Sequence, residues 1–597
     1  MIKHTTLGIV ALVVAACGHA PVPPLPPADL PALPPAHASI TTPASTASDD
    51  AAIAQATQDY IKLIVAISPE TGTSLGDHSH DDDLDDYTLE GDAAGTAKEQ
   101  AMLDALHARF ASPHASRTSL TDLRLVESAL AVDIRLRHDQ KPLQRMPVSY
   151  IAPMDAVFLQ AAREYAPAAE RARASLARIE KIPAALAPAK KNLAAPPKLW
   201  VEVALEQAKT AGAFFDQERP FLVGALPDQK TRIEAALSAA KKAYADFARM
   251  LEHDVLPHAT GDFAAGRGLF EFLLREGYFL RESPDELYDM GKRVFDATSA
   301  QMDTVARRID PKAKSWPDVT RVIKSHHPTA DDLVPSYRRE VERARKFLKD
   351  KDVVPFPPGD DCKVEETPPF LRNVLTASYE AAPPLDPVTR GFFYVTPVDK
   401  TLPASKQEEM LRENDHGDQV DTVVHETYPG HHLQLSFART NPSIMRKLSD
   451  SKRADLPGSN LFAEGWALYA EELMSELGYY TDEERLMQLE WTLVRAARVM
   501  IDVGLHTRGM SFEDAVKVLT DQVHLERELA VSEVKRYTMD PTQPLSYLVG
   551  RERIFAMRER YKQQQGPAYS LKAFHTELLS HGDIAQGLVE REMFPSP

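Results

Sequence analysis

Runs of helix-forming residues with helical apolar spacing restrict the fold of this 597-residue chain more than any other feature. Ile53, Ala56, Tyr60, Ile64 and Ile67 recur at steps of three and four, which is the spacing of one helix face. Ala, Leu, Arg and Glu, which favour helices, dominate many later stretches. Helices are therefore predicted over residues 96–111, 120–138, 168–189, 199–218, 228–253, 285–309, 316–325, 330–350, 405–413, 431–440, 461–477, 482–507, 511–537, 545–564 and 571–580.

Residues 391–397, Gly-Phe-Phe-Tyr-Val-Thr-Pro, have the pattern of a short strand instead, because aromatic and β-branched residues dominate them. Strand patterns are scarce elsewhere in the chain. The sequence therefore predicts a mostly α fold, with one large multi-helix domain and a small β-sheet. This strand would offer an edge for pairing with an extended peptide, with Tyr394 as a candidate substrate contact, and a purely structural hairpin is the alternative.

The N-terminus has the pattern of an export signal. Lys3 precedes an apolar run at 7–16 that is too short to cross a bilayer by itself. The small residues before Cys17 resemble a bacterial lipobox, in which the chain is cut before a cysteine that carries the lipid; an ordinary secretory signal is the alternative. We expect a lipoprotein signal peptide at 1–16, a Pro/Ala-rich tether at 17–48 and a helical domain at 49–597, with the motif-bearing part at 390–590.

The charge balance argues against a nucleic-acid partner, because 87 acidic residues outnumber 69 basic ones and the net charge is −18. The two cysteines, Cys17 and Cys362, are too few for a disulfide framework. A lipid on Cys17 would place the protein in the cell envelope of a bacterium. The expected location is the outer membrane, facing the periplasm or the surface, and the sequence carries no signal for an oligomeric state.

Metal-binding side chains cluster in one short segment, where His425, Glu426, His431 and His432 fall within eight residues. A His-Glu pair followed by a second histidine is how many zinc hydrolases place two ligands and a general base on one element. In the common arrangement the second histidine comes four residues after the first, but that position here is Pro429. The motif therefore predicts a metal site with an unusual spacing.

Pro429 and Gly430 offer a physical explanation for this spacing. On an undisturbed helix, a residue six positions on is turned about 120° away, and one seven positions on lies about 10 Å along the axis. Proline cannot continue the helix ladder, and glycine permits the backbone detour that follows. A bulge that takes up two residues would return His431 to the position of the second ligand, and His432 is the competing candidate.

A third ligand is needed, because catalytic zinc keeps three protein ligands and one open position. Glu464 is the best candidate, since it lies at the start of an otherwise apolar helix; a surface carboxylate is the alternative. Glu471, seven residues on and on the same face, is placed to orient a ligand histidine, or merely stabilises the helix. Glu426, next to a ligand, is placed to act as general base toward metal-bound water.

These segments resemble the bacterial family called domain of unknown function 885 (DUF885). The resemblance rests on His-Glu-Thr-Tyr-Pro-Gly-His-His-Leu-Gln at 425–434 and on Glu-Gly-Trp-Ala-Leu-Tyr-Ala-Glu at 464–471. It spans roughly residues 55 to 590, and shorter matching segments lie at 502–506, 533–537, 541–550 and 574–575. Many members of the family are predicted lipoproteins, and the family is grouped with zinc-dependent peptidases of the gluzincin type.

The resemblance implies a mostly helical fold with the metal site in a deep cleft, as in helical oligopeptidases. It aligns His431, rather than His432, with the second ligand of ordinary gluzincins. Many gluzincins also carry an acid four residues after the glutamate ligand. That position here is Leu468, so the support for the ligand histidines must come from elsewhere.

The later matching segments supply candidates for the rest of the catalytic site. Tyr547, His506 and Tyr537 are candidate donors to the oxyanion that develops on an attacked carbonyl. Tyr547 as a half-buried core residue is the alternative reading. Asp502, four residues before His506, is a candidate supporting residue, and a simple packing pair is the alternative.

Three charged residues in the same segments are candidates for substrate binding. Arg551 and Arg536 are suited to a bidentate grip on a substrate carboxylate, and Glu533 is suited to an amine. For the two arginines, solvated helix faces are the alternative.

Together these features predict an exported, lipid-anchored hydrolase that binds one zinc ion through His425, His431 and Glu464. The expected substrate is a peptide, cleaved by metal-activated water with Glu426 as the base. Two alternatives stay open: a non-catalytic metal-binding lipoprotein or scaffold, and a metal-dependent amidase or esterase with a non-peptide substrate. A structural metal site is typically closed by four protein ligands and needs no adjacent carboxylate, so Glu426 favours an enzyme.

Overall fold

The computed structural model describes residues 48–595, except 361, 368–371, 373–376, 387 and 449–457. The predicted signal peptide, Cys17 and all but the last residue of the tether lie outside these residues. Helices dominate the described chain, which confirms the prediction of a mostly α fold with a small sheet. The α-helices are α1 (Asp50–Ile67), α2 (Pro69–Leu75), α3 (Leu89–Arg109), α4 (Arg117–Gln140), α5 (Pro142–Arg145), α6 (Ala152–Ala162), α7 (Ala168–Leu186), α8 (Ala189–Asn192), α9 (Lys198–Ala225), α10 (Lys230–Met250), α11 (Arg267–Phe272), α12 (Pro284–Ile309), α13 (Trp316–Ile323), α14 (Leu333–Lys351), α15 (Ala404–Arg412), α16 (His416–Glu426), α17 (His431–Ala438), α18 (Ser459–Glu476), α19 (Asp482–Thr507), α20 (Phe512–Lys517), α21 (Arg527–Met539), α22 (Gln543–Gln565), α23 (Leu571–Ser580) and α24 (Gln586–Met593). The strands are β1 (Cys362–Glu366), β2 (Ala377–Glu380) and β3 (Gly391–Val395).

Most predicted helices are present, with boundaries shifted by a few residues. The stretch 511–537 differs, because it divides into α20, a π-helical turn at Val518–Gln522, and α21. Ser511 caps the start of α20, where its hydroxyl accepts a hydrogen bond from the Asp514 N–H at 3.1 Å. Helix α6 and strands β1 and β2 were not predicted from the sequence.

The sheet has the strand order β1-β3-β2, with β1 parallel and β2 antiparallel to β3. Because β3 is the central strand, both of its edges are already paired. This arrangement corrects the prediction that residues 391–397 present an edge to a peptide. The outer edge of β2 instead reaches the functional site described below.

Helices α18 and α22 pack in direct backbone contact at a pair of glycines. A Cβ added at Gly465 would lie 2.5 Å from the Cα of Gly550, and one added at Gly550 would lie 2.1 Å from the carbonyl oxygen of Leu461. Since neither position has room for a side chain, the helices run at very close spacing. This contact brings Tyr547 of α22 into the electrostatic neighbourhood of Glu464 of α18.

Helix α19 is buried along most of its length and packs against α12, α16 and α22. It begins with a capping box, in which Thr481 and Glu484 satisfy each other's backbone N–H groups. Such a buried helix is expected to be apolar, but α19 carries Gln488, Arg498 and Asp502 into the core. Buried polar groups need partners, so these side chains mark places where the interior is specialised.

Helices α6, α7, α9 and α10 enclose a separate apolar cluster in the N-terminal half of the described chain. The cluster includes Leu176, Val201, Phe215, Ile233 and Tyr244.

None of the described helices combines the length and the apolar composition that crossing a bilayer requires.

Candidate functional site

A four-residue turn at 427–430 joins the two helices that carry the histidine motif. Helix α16 ends at Glu426 and α17 begins at His431. Within the turn the Tyr428–Pro429 peptide bond is cis, and the Pro429 carbonyl oxygen accepts a hydrogen bond from the Trp466 indole N–H at 2.7 Å. The turn places His431 beside His425, with ring centroids 4.8 Å apart and ring planes at 89°.

Gly430 is required by the closeness of this turn to the end of α16. A Cβ at this position would lie 1.7 Å from the carbonyl oxygen of His425 and 2.4 Å from that of Val424. The Gly430 N–H donates to the Val424 carbonyl at 3.0 Å, so the backbone itself occupies this space. A side chain here would push the two histidines apart.

His425, His431 and Glu464 bring three potential metal-ligand atoms together. The Oε2 atom of Glu464 lies 3.4 Å from Nε2 of His425 and 3.3 Å from Nε2 of His431. The ligand atoms of the three side chains all lie within 4.8 Å of one another, and the described residues contain no second such group of His, Cys, Asp or Glu. Glu464 Oε2 is buried without a hydrogen-bond partner.

The electrostatics of this cluster favour the binding of a positive charge. Burial raises the pKa of the Glu464 carboxyl, but His431 and His425 outweigh it and hold the pKa well below the usual range. Burial also opposes charge on His425, yet the nearby carboxylates of Glu464 and Glu471 raise its pKa to about 10. The carboxylates therefore attract a cation to this place, whether a proton or a metal ion.

Glu471 lies behind His425 on the side away from Glu464. Its Oε1 is 2.7 Å from the His425 Nδ1, and its Oε2 accepts a hydrogen bond from the Gln488 amide at 3.2 Å. Because Nδ1–H donates to Glu471, Nε2 of His425 faces Glu464 and is the nitrogen that a metal ion would bind in place of its proton. Glu471, rather than a residue at the Leu468 position, supplies this support.

The carboxylate of Glu426 is fixed by the backbone of β2. Its Oε2 accepts a hydrogen bond from the Tyr379 N–H at 3.0 Å, while its Oε1 makes no hydrogen bond to any described residue. Tyr379 pairs with Phe393 on its other edge, so this N–H belongs to the outer edge of the sheet. The polar strand β2 gave no sequence signal for this contact.

His432 points to different partners. Its Nε2 lies 2.7 Å from Oδ1 of Asp360, and its Nδ1 lies 3.0 Å from the Tyr379 hydroxyl. Asp360 also accepts a hydrogen bond from Tyr428 at 2.8 Å and pairs with Arg345 at 3.1 Å. Of the two competing histidines, the structure therefore brings His431 into the cluster and commits both nitrogens of His432 elsewhere.

Tyr547 lies against the histidine cluster with a hydroxyl that makes no hydrogen bond to any described residue. Its ring stacks on that of His425, with centroids 6.3 Å apart and planes at 17°. Burial and the Glu464 carboxylate raise the pKa of Tyr547 to about 12, against nearby arginines that lower it. The phenol therefore keeps its proton at neutral pH and can donate a hydrogen bond.

Two arginines of α19, which the sequence did not single out, lie over the same tyrosine ring. The guanidinium carbons of Arg498 and Arg495 are 4.7 Å and 5.7 Å from the Tyr547 ring centroid. Arginine is an ordinary helix former, so only the burial of α19 distinguishes these positions.

The predicted catalytic role of His506 is corrected by its hydrogen bonds. Its Nε2–H donates to the Tyr537 carbonyl oxygen at 2.9 Å, and its Nδ1 accepts from the Ala265 N–H at 3.1 Å. Burial lowers the pKa of His506 to about 4, so the ring is neutral and has no N–H left for an oxyanion. His506 therefore ties backbone segments together.

Asp502 supports the site through a helix rather than through a histidine. Its carboxylate accepts hydrogen bonds from the backbone N–H groups of Thr542 and Leu545, at 3.2 Å and 3.3 Å. These are at the N-terminus of α22, where a buried acceptor satisfies free N–H groups. Asp502 thus anchors the helix that carries Tyr547.

The three predicted substrate-binding residues of α21 and α22 are largely engaged with protein groups. Glu533 Oε2 accepts from Arg498, Arg536 and Tyr537, which corrects its assignment as an open partner for a substrate amine. Arg536 also donates to Gln543 at 2.7 Å. Arg551 donates twice to Glu552, at 3.0 Å and 2.7 Å.

Tyr394 faces a different cavity. It stacks on Phe392 with centroids 5.7 Å apart, on the face of β3 opposite the buried Phe393. Both rings line a cavity of about 330 Å³ together with Phe158 and Arg390. The structure therefore does not bring Tyr394 to the histidine cluster.

Comparisons with known proteins agree with the fold. A solved structure from Shewanella oneidensis, a predicted lipoprotein of unknown function, superimposes with a TM-score of 0.75 at 25% identity and covers 92% of this chain and 100% of its own. A second predicted lipoprotein, from Colwellia psychrerythraea, has a TM-score of 0.77 at 17% identity and covers 92% of this chain and 98% of its own. No functionally curated protein matches the sequence. Residues 69–593 match the family model described as "Bacterial protein of unknown function (DUF885)", and the chain therefore belongs to the DUF885 family.

Proposed function

We propose that this protein is a zinc-dependent hydrolase that cleaves peptides. The observation that carries the proposal is the convergence of His425 Nε2, His431 Nε2 and Glu464 Oε2, with a further carboxylate, Glu426, next to the first ligand. Two histidines and one glutamate are a familiar ligand set of catalytic zinc. The gluzincin relationship is part of this proposal.

The distances from the Glu464 oxygen to the two histidine nitrogens fit a zinc ion. Tetrahedral ligands about 2.0–2.1 Å from zinc are separated from one another by about 3.3–3.4 Å. The Glu464 oxygen lies 3.3 Å and 3.4 Å from the two histidine nitrogens. The same oxygen is buried and lacks a hydrogen-bond partner, which is costly for a carboxylate unless a cation is present. The described residues supply three ligands to this cluster rather than four, which favours a catalytic site over a structural one.

The residues around the cluster have separable tasks in this proposal. When bound, zinc acidifies water and polarises a carbonyl group. Glu426, held by the Tyr379 N–H, accepts a proton from the attacking water and delivers it to the leaving amine. Tyr547 donates its hydroxyl hydrogen to the oxygen of the attacked carbonyl as negative charge develops there. Glu471 keeps His425 in the required tautomer.

We also propose that the protein is held at the cell envelope by a lipid on Cys17, with the outer membrane as the expected location. The two solved relatives are themselves described as predicted lipoproteins. The Pro/Ala-rich segment after Cys17 would then hold the helical domain away from the membrane. Cys17→Ser should move the protein from the membrane fraction to the soluble fraction, and continued membrane association would contradict the anchor.

The function is tested by metal analysis of the purified full-length protein combined with a peptide-mixture cleavage assay. We expect about one zinc per chain, cleavage that a chelator abolishes and that zinc restores. Glu426→Gln should keep the metal and lose about 10²–10⁴-fold in turnover, the usual contribution of a general base. Glu413→Gln, a change in the helix-to-helix connection before α16, is the matched control. A metal-loaded protein that cleaves no peptide would contradict the proposal.

A further inference from the structure

Guanidinium N–H groups without partners are buried next to the histidine cluster. Arg498 has a side chain that is 7% exposed, and its Nη1 has no hydrogen-bond partner. The Nε and Nη1 atoms of Arg495 are likewise buried and unpartnered. Arg495 makes no hydrogen bond or ion pair to any described residue. Buried cationic donors of this kind are costly to leave unsatisfied, so a role for them is expected.

The rest of Arg498 is fixed rigidly, which determines where its free donor can act. Its Nε donates to the Tyr537 hydroxyl at 2.8 Å, and its Nη2 donates to Glu533 Oε2 at 2.7 Å. Glu533 also accepts from Arg536 at 3.1 Å. The network therefore holds the Arg498 guanidinium through Nε and Nη2 and leaves the buried Nη1 without a partner.

Both arginines lie close to the proposed reaction centre. Their guanidinium groups are 4.7 Å and 5.7 Å from the Tyr547 ring centroid, and the Tyr547 ring stacks on His425. The Glu464 carboxylate raises the pKa of the Tyr547 phenol, whereas the positive charges of Arg498, Arg536 and Arg495 lower it. The Arg495 guanidinium also lies 4.7 Å from the Trp491 ring centroid. Its neighbours are therefore aromatic rings rather than paired carboxylates.

Of the arginines around Tyr547, Arg495 is the one whose positive charge is not neutralised by an ion pair with a described residue. Arg498 and Arg536 share the carboxylate of Glu533, and Arg536 also faces Asp502 and Asp540. Arg495 faces Asp421 without forming an ion pair with it. Glu464 is occupied with the two histidines. An additional carboxylate would therefore be attracted to this place, and planar N–H pairs bind carboxylates in a bidentate manner.

We propose that Arg495 and Arg498 form a substrate-carboxylate subsite beside the metal cluster. The subsite selects peptides that present a carboxylate near the bond to be cut, either a free C-terminus or an acidic side chain. This assignment rests on the proposed peptidase function and adds a substrate class to it. It also replaces the predicted roles of Arg551 and Arg536 in binding a substrate carboxylate. Arg551 donates to Glu552, and Arg536 donates to Glu533 and Gln543.

The test measures binding, so that it does not depend on turnover. Full-length Glu426→Gln protein loaded with zinc is incubated with three N-acetylated tetrapeptide mixtures of matched composition. One mixture ends in a free acid, one in a carboxamide, and one in a carboxamide with aspartate as the second-to-last residue. Affinity selection followed by mass spectrometry quantifies the retained peptides. We expect at least one carboxylate-bearing mixture to be retained about tenfold or more over the neutral carboxamide, as charge-assisted hydrogen bonds predict.

The arms separate the two sources of the carboxylate. Preference for the free acid identifies the C-terminus, and preference for the aspartate mixture identifies an acidic side chain. Arg495→Gln should reduce the preference to about twofold or less, and Arg495→Lys should retain part of it because the charge remains. Arg508→Gln, at the end of α19 where the arginine pairs with Asp285 on the surface, should leave it unchanged.

Equal retention of the three mixtures, including no retention of any, would overturn the subsite. This comparison is made on the unaltered arginines, so it holds even if an arginine variant fails to fold. Carboxylate preference without any hydrolysis by the wild-type protein would contradict the peptidase proposal and leave the subsite standing. Hydrolysis without a preference for carboxylates would support the peptidase proposal and contradict the subsite.

Discussion

The Nδ1 atom of His425 lies 2.7 Å from Oε1 of Glu471, a carboxylate with no exposed surface. A hydrogen bond of this kind sets the tautomer of the imidazole and increases its basicity as a ligand. Gln488 of α19 donates a hydrogen bond to the other oxygen of this carboxylate. The orientation of His425 is therefore determined by groups that do not themselves reach the metal position.

Glu471→Gln should weaken zinc binding about 10- to 100-fold, because the amide cannot supply the charge of the carboxylate. The measurement is zinc affinity by competition with a chromogenic chelator. Glu472→Gln is the matched control, since Glu472 is next in sequence but pairs with Arg485. Equal zinc affinity in the wild type and the Glu471 variant would contradict the supporting role.

His431→Ala should abolish stoichiometric zinc binding, whereas His432→Ala should retain it. His431 Nε2 lies 3.3 Å from Glu464, while both nitrogens of His432 are engaged by Asp360 and Tyr379. Elemental analysis after dialysis distinguishes the two variants. The opposite pattern would reassign the second ligand to His432.

Tyr547→Phe should reduce kcat about 10²–10³-fold without changing zinc content, since removal of an oxyanion donor has an effect of this size. The ring remains to stack on His425, so only the hydroxyl is tested. Steady-state kinetics on a cleaved peptide provide the measurement, with Tyr561→Phe as a control in the aromatic cluster with Tyr569 and Phe574. Unchanged kcat would remove Tyr547 from the mechanism.

Gly430→Ala should destabilise the protein by about 1–3 kcal/mol, as overpacking of a filled site does, and should lower its zinc content. The added Cβ would lie 1.7 Å from the His425 carbonyl oxygen. Gly212→Ala is the opposite case: nothing lies within 4 Å of its added Cβ, and in mid-helix this change stabilises by about 0.5–1 kcal/mol. Thermal melting of both variants checks the contrast. Normal zinc content in the Gly430 variant would contradict the role of the turn.

Glu218→Gln should raise the melting temperature at pH 9 but have little effect near pH 4.5. Glu218 in α9 is 4% exposed, and burial raises its pKa from 4.5 to about 8. A raised pKa means that the folded state favours the protonated form, so its stabilising contribution is complete below pH 4.5 and is lost as the pH rises through 8. The neutral amide avoids this loss of unfolding free energy, which is on the order of a few kcal/mol.

Melting curves from pH 4.5 to pH 9 provide the measurement for Glu218. Glu234→Gln is the control, because this exposed carboxylate pairs with Arg219 and its pKa is lowered. A pH-independent difference between wild type and the Glu218 variant would show that its titration is not linked to folding.

The helices could be predicted because their information is local. Apolar spacing and helix propensity persist over many residues in segments such as 285–309 and 482–507, and the structure has helices at Pro284–Ile309 and Asp482–Thr507. Strands β1 and β2 could not be predicted in this way. Their sequences, Cys-Lys-Val-Glu-Glu and Ala-Ser-Tyr-Glu, are polar, and they are strands because β3 offers them two edges.

The histidine motif could be located from sequence because its side chains are chemically distinctive and close together along the chain. Its environment could not, since Tyr379, Asp360 and Arg495 reach it from distant segments. His506 illustrates the converse error. A histidine in a family segment suggests chemistry, but the partners that occupy its nitrogens, Tyr537 and Ala265, are known only from the fold.

The contact between Gly465 and Gly550 makes two distant positions of the chain share a single volume. A larger residue at either one would separate α18 from α22, and thereby move Glu464 away from Tyr547. Neither position can therefore change alone during evolution without altering the site. Variation at one should be accompanied by a compensating change along the opposite helix, so the metal ligand and the phenol are inherited as a geometric unit.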